Sequence, residues 1–392
     1  MKRYLLCLLC VLLLFCAMFY IVLQRMSLNV DAVNIANQPA AEEVQPPQNA
    51  NPAETSVEVT PEPEPESEPE YFTLSAIGDC TLAPRPNSAD FVNKVNGDFS
   101  YPFANTVQYF ENDEFTIANL ECTFSDRKLT YDYTVAMFYF IAGSDYANIL
   151  TQGGVDFVTT TNNHSYDFFQ VGVDETCASL EAVGLPYGIE DQAQIVESKN
   201  GIRFGIYTAY NDFYPDENKA VQAIKQLQSD GVDYIICMFH WGKDEVVYTP
   251  KQEQIDLAHA CVDAGADLVY GSHAHCLQPI EEYKDSVILY GMGNWSFGGS
   301  DRPRDPDTAI VQLTLRRDAD GSVSNDGITV IPCRVSSKEP DPNDAQKYAY
   351  NDYKPTPYEE GSAEYERVIS KLNGSYEGGD VSVDYSSWYQ RG

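Results

Sequence analysis

Positive charge is what this chain has least of. Twenty-five Lys and Arg stand against 59 Asp and Glu, a formal net charge of −34. A chain so acidic stays soluble and repels nucleic acid. It also repels a free polyanion unless something cationic sits between them. Outside the apolar N-terminal run there is no Cys-x-x-C spacing, which excludes a zinc ribbon. Of the ten cysteines, Cys7, Cys10 and Cys16 lie in that run. The other seven (Cys80, Cys122, Cys177, Cys237, Cys261, Cys276 and Cys333) are an odd number and cannot all pair within one chain. Most sit beside apolar runs and read as buried small hydrophobes. Histidine is scarce too: there are five in 392 residues.

Hydrophobic residues make up 43% of the chain, enough for a sizeable core once the polar N-terminal stretch is set aside. Lys2 and Arg3 precede an uncharged apolar run from Tyr4 to Leu23. About 20 apolar residues span a bilayer core as a helix. The run ends in Phe19-Tyr20-Ile21-Val22-Leu23, without a small-residue cleavage site, so an uncleaved signal-anchor over residues 1–25 is expected, a long cleaved signal being the alternative. Either places the bulk of the chain outside the cytoplasm, as a single-pass protein of the cell membrane in the first case. Residues 26–70 form an acidic Pro/Glu-rich linker, read as a disordered, semi-stiff spacer.

From Tyr71 onward, short apolar runs read as strands: Phe72–Ile77, Phe115–Leu120, Asp156–Thr161, Phe204–Tyr210, Tyr234–Phe239, Leu268–Gly271 and Val287–Gly291. Asp174–Val183 reads as a helix stopped by Gly184. Pro250–Ala264 reads as another, capped by Thr249 and stopped by Gly265. The alternation predicts an α/β domain over residues 71–340, with Ile310–Arg316 and Ile328–Val335 as a closing antiparallel hairpin. Residues 341–392 are a polar, Tyr-rich extension with one helical run near Ala363–Leu372.

In open α/β sheets, ligands bind beyond the carboxyl ends of the strands. Here those ends carry Asp79, Glu121, Asn163 with His164, His240, His273 with His275, and Asn294. Four of the five histidines are among them; His259, inside a helix, reads as structural. Singly, each histidine is explained by burial in a core. Four histidines, two carboxylates and an Asn at one sheet edge are not, and they match the ligand set of a hydrolytic metal centre. Two ions roughly 3.5–4 Å apart would clamp a substrate oxygen and activate water. Asn163 would offer its amide oxygen to a metal and His164 would serve as general acid. Asn162-Asn163 also reads as a turn, which leaves the histidine unexplained.

The order Gly78-Asp79, Ala118-Asn119-Leu120-Glu121, Asn162-Asn163-His164, His240-Trp241-Gly242, Gly265-Ala266-Asp267, His273-Ala274-His275 with Gln278-Pro279, and Gly293-Asn294 resembles the CapA family of capsule-synthesis proteins, from about Phe72 to Val335. The resemblance implies a calcineurin-like metallophosphatase fold, a sandwich of mixed β-sheets flanked by helices. It implies a role in synthesis, export or anchoring of poly-γ-glutamate, with membrane capsule-synthase subunits as partners. Asp79, Glu121 and His275 would hold one divalent ion (Mn, Fe or Zn). Glu121, Asn163, His240 and His273 would hold a second, and His164 would donate the proton. Arg85, Asn294, Arg302 and Arg304 would bind the anionic substrate, the alternative for the arginines being solvated loop residues. Metallophosphatases carry Asp-x-His where this chain has Asp79-Cys80-Thr81, and Asp where it has Glu121. One ion, two or none therefore stay open, as does enzymatic activity. A secreted metal-dependent phosphoesterase and a non-catalytic polymer-binding scaffold use the same residues.

Overall fold

A twelve-residue strand sets the frame: β1 (Glu70–Thr81) goes from exposed at its start to fully buried over its last eight residues. In chain order there follow β2 (Phe115–Leu120), β3 (Thr123–Phe124), β4 (Ile141–Ala142), β5 (Phe157–Thr159), β6 (Tyr187–Gly188), β7 (Gln192–Glu197) and β8 (Arg203–Ala209). Then come β9 (Tyr234–His240), β10 (Leu268–Ser272), β11 (Ile280–Tyr283), β12 (Ser286–Leu289), β13 (Asn294–Phe297), β14 (Asp307–Arg317), β15 (Val323–Arg334) and β16 (Thr356–Pro357). The computed structural model describes residues 68–131, 138–339 and 349–379. Tyr4–Leu23, read above as a membrane anchor, and all but the last residues of the linker lie outside these. Among the described residues no helix is long and apolar enough to cross a membrane.

Two sheets form. The first runs β16-β15-β14-β1-β2-β5-β6, with β13 also pairing β1. Its β1, β2, β5 and β6 are parallel; β14 and β15 form the expected antiparallel hairpin. The second runs β11-β12-β10-β9-β8-β7, parallel at its centre and antiparallel at both edges. Leu74, Ile117 and Leu313 of the first sheet pack against Ile206, Ile236 and Met238 of the second, an apolar layer between the sheets.

Helices cover the outer faces. On the first sheet these are α1 (Asp90–Val95), α2 (Asn148–Gln152) and α3 (Phe169–Ala182), which bury Phe91, Leu150 and Leu180 in one cluster with Ile77 and Leu120. On the second they are α4 (Glu217–Ser229) and α5 (Gln252–Ala264), which bury Ile224, Leu227, Leu257 and Cys261 against Phe239 and Val269. Helix α5 starts two residues beyond the expected Pro250, with Lys251 as its cap, and stops at Gly265 in the left-handed conformation. Helix α3 starts five residues before the expected Asp174. That first stretch, Phe-Gln-Val-Gly-Val, is poor in helix formers, so packing rather than propensity makes it helical.

The described part of the C-terminal extension packs on this body. Helix α6 (Ala363–Leu372) occupies the residues expected of it and buries Val368 and Leu372 against Leu277 and Ala309. Pro65–Gly392 forms one compact unit.

Candidate metal centre

The parallel strands of both sheets end on one edge, and those ends carry the polar residues. Asp79 lies near the end of β1, and Glu121 follows β2. Asn163 and His164 follow β5. His240 closes β9, and His273 and His275 follow β10. Asn294 opens β13 and pairs with Asp79 in the parallel register. The β1 end is pressed against this neighbour: the Asp79 N–H donates to the Gly293 carbonyl at 2.8 Å. A Cβ on Gly78 would stand 2.1 Å from that same oxygen, so no other residue fits.

One group comprises Asp79, Glu121 and His275, with one donor atom from each lying within 4.8 Å of the others. His275 Nδ1 is 3.4 Å from Asp79 Oδ2, and its Nε2 is 3.8 Å from Glu121 Oε1. Asp79 Oδ2 and Glu121 Oε1 are buried and have no hydrogen-bond partner among the described residues. Two orphaned carboxylate oxygens aimed at one point are costly unless a cation completes them. The donor set therefore fits a divalent ion.

A second group adjoins it across Glu121. His240 Nε2 lies 2.7 Å from Asn163 Oδ1, 3.0 Å from His273 Nδ1 and 3.7 Å from Glu121 Oε1. His240 Nδ1 faces the Ser272 hydroxyl at 2.9 Å and the Asn119 amide nitrogen at 3.3 Å. With the ring proton on Nδ1, shared with the Ser272 hydroxyl, Nε2 would keep the lone pair a metal ligand needs. Burial, reinforced by charge on His273 and His275, holds His240 well below the usual range. Burial, with charge on His275 and His164, pushes His273 down to about 3. Both rings are neutral at ordinary pH. Burial also pushes Glu121 up. Burial opposes charge on His275, but Glu121 and Asp79 outweigh it and hold this imidazole's pKa up.

Asn162 and Asn163 divide the two roles the sequence left open. Asn162 makes the turn: its Oδ1 accepts from the His164 N–H at 3.0 Å. Asn163 turns its oxygen to His240. His164 is buried against Phe140, and its Nδ1 sits 2.9 Å from Asp167 Oδ2. Burial works against its charge, but Asp167 prevails and raises its pKa. That ring can carry a proton to the site. Cys80, Cys122 and Cys276 are buried outside the donor groups, the small hydrophobes the sequence suggested. Thr81, set against the histidine of the metallophosphatase Asp-x-His pattern, lies with its hydroxyl 3.5 Å from Glu121 Oε2. His259 stacks on Tyr283 at 3.9 Å and binds Glu281, a structural role away from the site.

Above the two groups a cleft of about 860 Å³ opens, lined by Arg85, Asn163, His164, His275, Asn294, Arg302 and Arg304 among others. All four residues expected to bind substrate thus share one wall system with the donor groups. Arg85 and Arg302 both meet Asp301, at 3.0 and 3.6 Å.

Several supporting residues escaped the sequence reading. Asn119 donates to Asp79 Oδ1 at 2.8 Å and accepts from Asn162 at 3.1 Å, linking two strand ends. Ser272 fixes His240. Asn351 donates to the carbonyls of Phe297 and Ser300, and Tyr350 to that of Pro303, so the C-terminal segment holds the arginine loop. Asn119 lay inside a motif and Asp167 three residues beyond His164, which were usable signals. Asn351 had none.

The family description "bacterial capsule synthesis protein PGA_cap" matches residues 73–195 and 188–298, a span that holds every donor residue from Asp79 to Asn294 but not Arg302 or Arg304. The capsule biosynthesis protein CapA of Bacillus anthracis is 26% identical over 298 residues, 70% of this chain and 70% of that one. The PGA biosynthesis protein CapA of Bacillus subtilis (strain 168) is 29% identical over 215 residues, 48% of this chain and 54% of that one. Among solved structures, the calcineurin-like phosphoesterase YfkN of Bacillus subtilis superposes with a TM-score of 0.40 at 13% identity, over 68% of this chain and 91% of that one. The chain belongs to the PGA_cap family of bacterial capsule synthesis proteins.

Proposed function

We propose that this protein is a membrane-tethered, extracytoplasmic component of poly-γ-glutamate capsule synthesis, export or anchoring, and that its cleft acts on the polymer through a divalent metal centre built from Asp79, Glu121, Asn163, His240, His273 and His275. The observation that carries this reading is the pair of orphaned oxygens, Asp79 Oδ2 and Glu121 Oε1, buried beneath a cleft lined by Arg85, Arg302 and Arg304. The metal, of the Mn, Fe or Zn type, would supply Lewis acidity at a scissile amide or phosphoester. The chain's own groups do the rest. The arginines receive the carboxylates of a polyanion that the acidic body otherwise repels. His164, whose pKa Asp167 raises, stands ready to give a proton to the leaving group. The apolar run before the linker keeps the cleft at the membrane surface, where a nascent polymer emerges.

Elemental analysis of the unit 65–392, wild type and His240→Ala, tests the reading. Near-stoichiometric metal that falls in the variant supports it, and hydrolysis of polyglutamate and of a model phosphoester is then measured. If wild type takes up no metal even after loading, the hydrolytic reading is lost and a polymer-binding scaffold remains.

A further inference from the structure

Two carboxylates on the cleft wall belong to neither donor group: Asp301, which pairs with Arg85 and Arg302, and Glu245. Glu245 lines the same cleft as Arg85, Arg302 and Arg304. It follows β9 of the second sheet, whereas the arginines follow β1 and β13, which pair in the first. Glu245 and the arginines are thus delivered by different sheets into one cleft, with His275 and Asn294 on the same lining. Among the described residues Glu245 has neither an ion-pair partner nor a hydrogen bond to its carboxylate. Its charge is felt at both His275 and Glu121, which places it over the donor groups.

The turn that presents Glu245 is strained and bolted down. Val246 has φ 53°, the left-handed region, where a β-branched residue is an outlier costing roughly 1–3 kcal/mol. Its surroundings enforce that geometry. The Val246 N–H donates to the Ala274 carbonyl at 2.7 Å, between His273 and His275. The Val247 carbonyl accepts from Gln278 Nε2 at 2.7 Å and from the Cys276 thiol at 3.4 Å. Val246, Tyr248, Ala274 and Cys276 close a small buried cluster. The backbone at Glu245 therefore keeps a fixed place relative to His275, as a binding group must.

A carboxylate in a site for a polyanion is a liability unless it meets a cation, because like charges brought together cost several kcal/mol. Every internal residue of a γ-linked glutamate chain offers a carboxylate and an uncharged amide. The amino end alone offers an ammonium. We propose that Glu245 binds the ammonium of an amino-terminated glutamyl ligand whose carboxylates lie against Arg85, Arg302 and Arg304, so that the cleft selects chain ends over internal segments. This rests on the reading of the cleft as a polyglutamate site.

Calorimetric titration of the metal-loaded unit 65–392 with a γ-linked glutamate trimer, and with the same trimer N-acetylated, tests it. Wild type should prefer the free amine by about tenfold or more. Glu245→Gln should erase that preference, largely by binding the acetylated trimer better, while Glu245→Asp keeps part of it. Metal content in both variants should match wild type. Equal affinity of wild type for the two trimers, with Arg302→Ala still weakening both, overturns the inference and leaves the reading of the cleft standing. Loss of metal in Glu245→Gln also overturns it, making Glu245 a donor to the ion. If wild type binds neither trimer, the inference and the polyglutamate reading fall together.

Discussion

Asn163 Oδ1 stands 2.7 Å from His240 Nε2. The first comes from the end of β5 in one sheet, the second from the end of β9 in the other. When His240 holds its ring proton on Nδ1, beside Ser272, both atoms are acceptors, and two acceptors at contact distance call for a cation between or beside them. His240→Ala should therefore weaken metal binding by roughly 100-fold or more, since even supporting residues of metal ligands are worth 10–100-fold. Asn163→Ala should lose less, because an amide oxygen is the weaker donor. Metal-competition titration measures both. A melting temperature that rises with added metal in wild type and stays flat in His240→Ala is the independent readout.

Asn119 touches no presumed substrate, yet it joins Asp79 at 2.8 Å to Asn162 at 3.1 Å inside a fully buried site. Asn119→Leu leaves an Asp79 oxygen and the Asn162 amide without these partners. About 1–3 kcal/mol of stability should go with each buried group so stranded. Metal affinity should drop roughly 10–100-fold, as for other supporting residues. Urea unfolding of the metal-free protein isolates the first effect, and metal titration reads the second. An unchanged urea midpoint would remove Asn119 from the account.

Apolar runs made β1, β2, β5, β8, β9, β10 and β12 legible in the sequence, because strands buried on both faces need no alternation. The edge strands β7, Gln-Ala-Gln-Ile-Val-Glu, and β11, Ile-Glu-Glu-Tyr, carry too few apolar residues to stand out. Helix α4 had a readable signal in Asp216, which caps it, and in Ala220, Ile224 and Leu227 on one face. The donor residues were legible for a topological reason: parallel strand ends share an edge whatever the details of packing. Their supports were not. Lys371 reads as a surface residue of an amphipathic helix, yet its partners Asp305 and Asp307 lie 66 and 64 residues away in the chain. No local pattern announces such a contact.

Asn351 is the latch of the arginine loop. Its Nδ2 donates to the carbonyls of Phe297 and Ser300 at 2.9 and 2.8 Å, from a position that is 4% exposed. Asn351→Ala strands both carbonyls and should cost about 1–3 kcal/mol. The cost is local, so amide exchange over residues 298–305 should accelerate while β9 and β10 keep their protection. Affinity for an anionic ligand should fall several-fold with it. Uniform loss of protection would mean a global effect instead.

Asp113 gives the fold a pH dependence away from the donor groups. Burial pushes its carboxyl from 3.8 up to about 6, despite hydrogen bonds from Ser75 and Gln312. The folded state thus holds this proton more tightly than the unfolded one. Stability from this group is greatest below about pH 4, falls as pH rises to about 6, and is level above that. At about 1.4 kcal/mol per unit the change is at most about 3 kcal/mol. Asp113→Asn should raise the urea midpoint at pH 7 relative to wild type, and the gap should close by pH 4. A gap that does not depend on pH refutes the assignment.

Lys371 carries the longest reach of the C-terminal helix. Its ammonium, on a residue 2% exposed, lies 2.8 Å from both oxygens of Asp305 and 2.7 Å from Asp307, which Arg367 also grips at 2.7 Å. Removing one partner of such a buried pair is far costlier than removing both, because the charge left behind has no solvent. Lys371→Met should cost roughly 3–5 kcal/mol in chemical denaturation, and adding Asp305→Asn should restore much of it. Asp305 directly follows Arg304, so the single variant should also free one end of the arginine loop and weaken anion binding. The double variant, with its loop still tied by Asn351, should recover stability more fully than binding. If both recover together, the ion pair serves the fold alone and the loop is positioned by its other contacts.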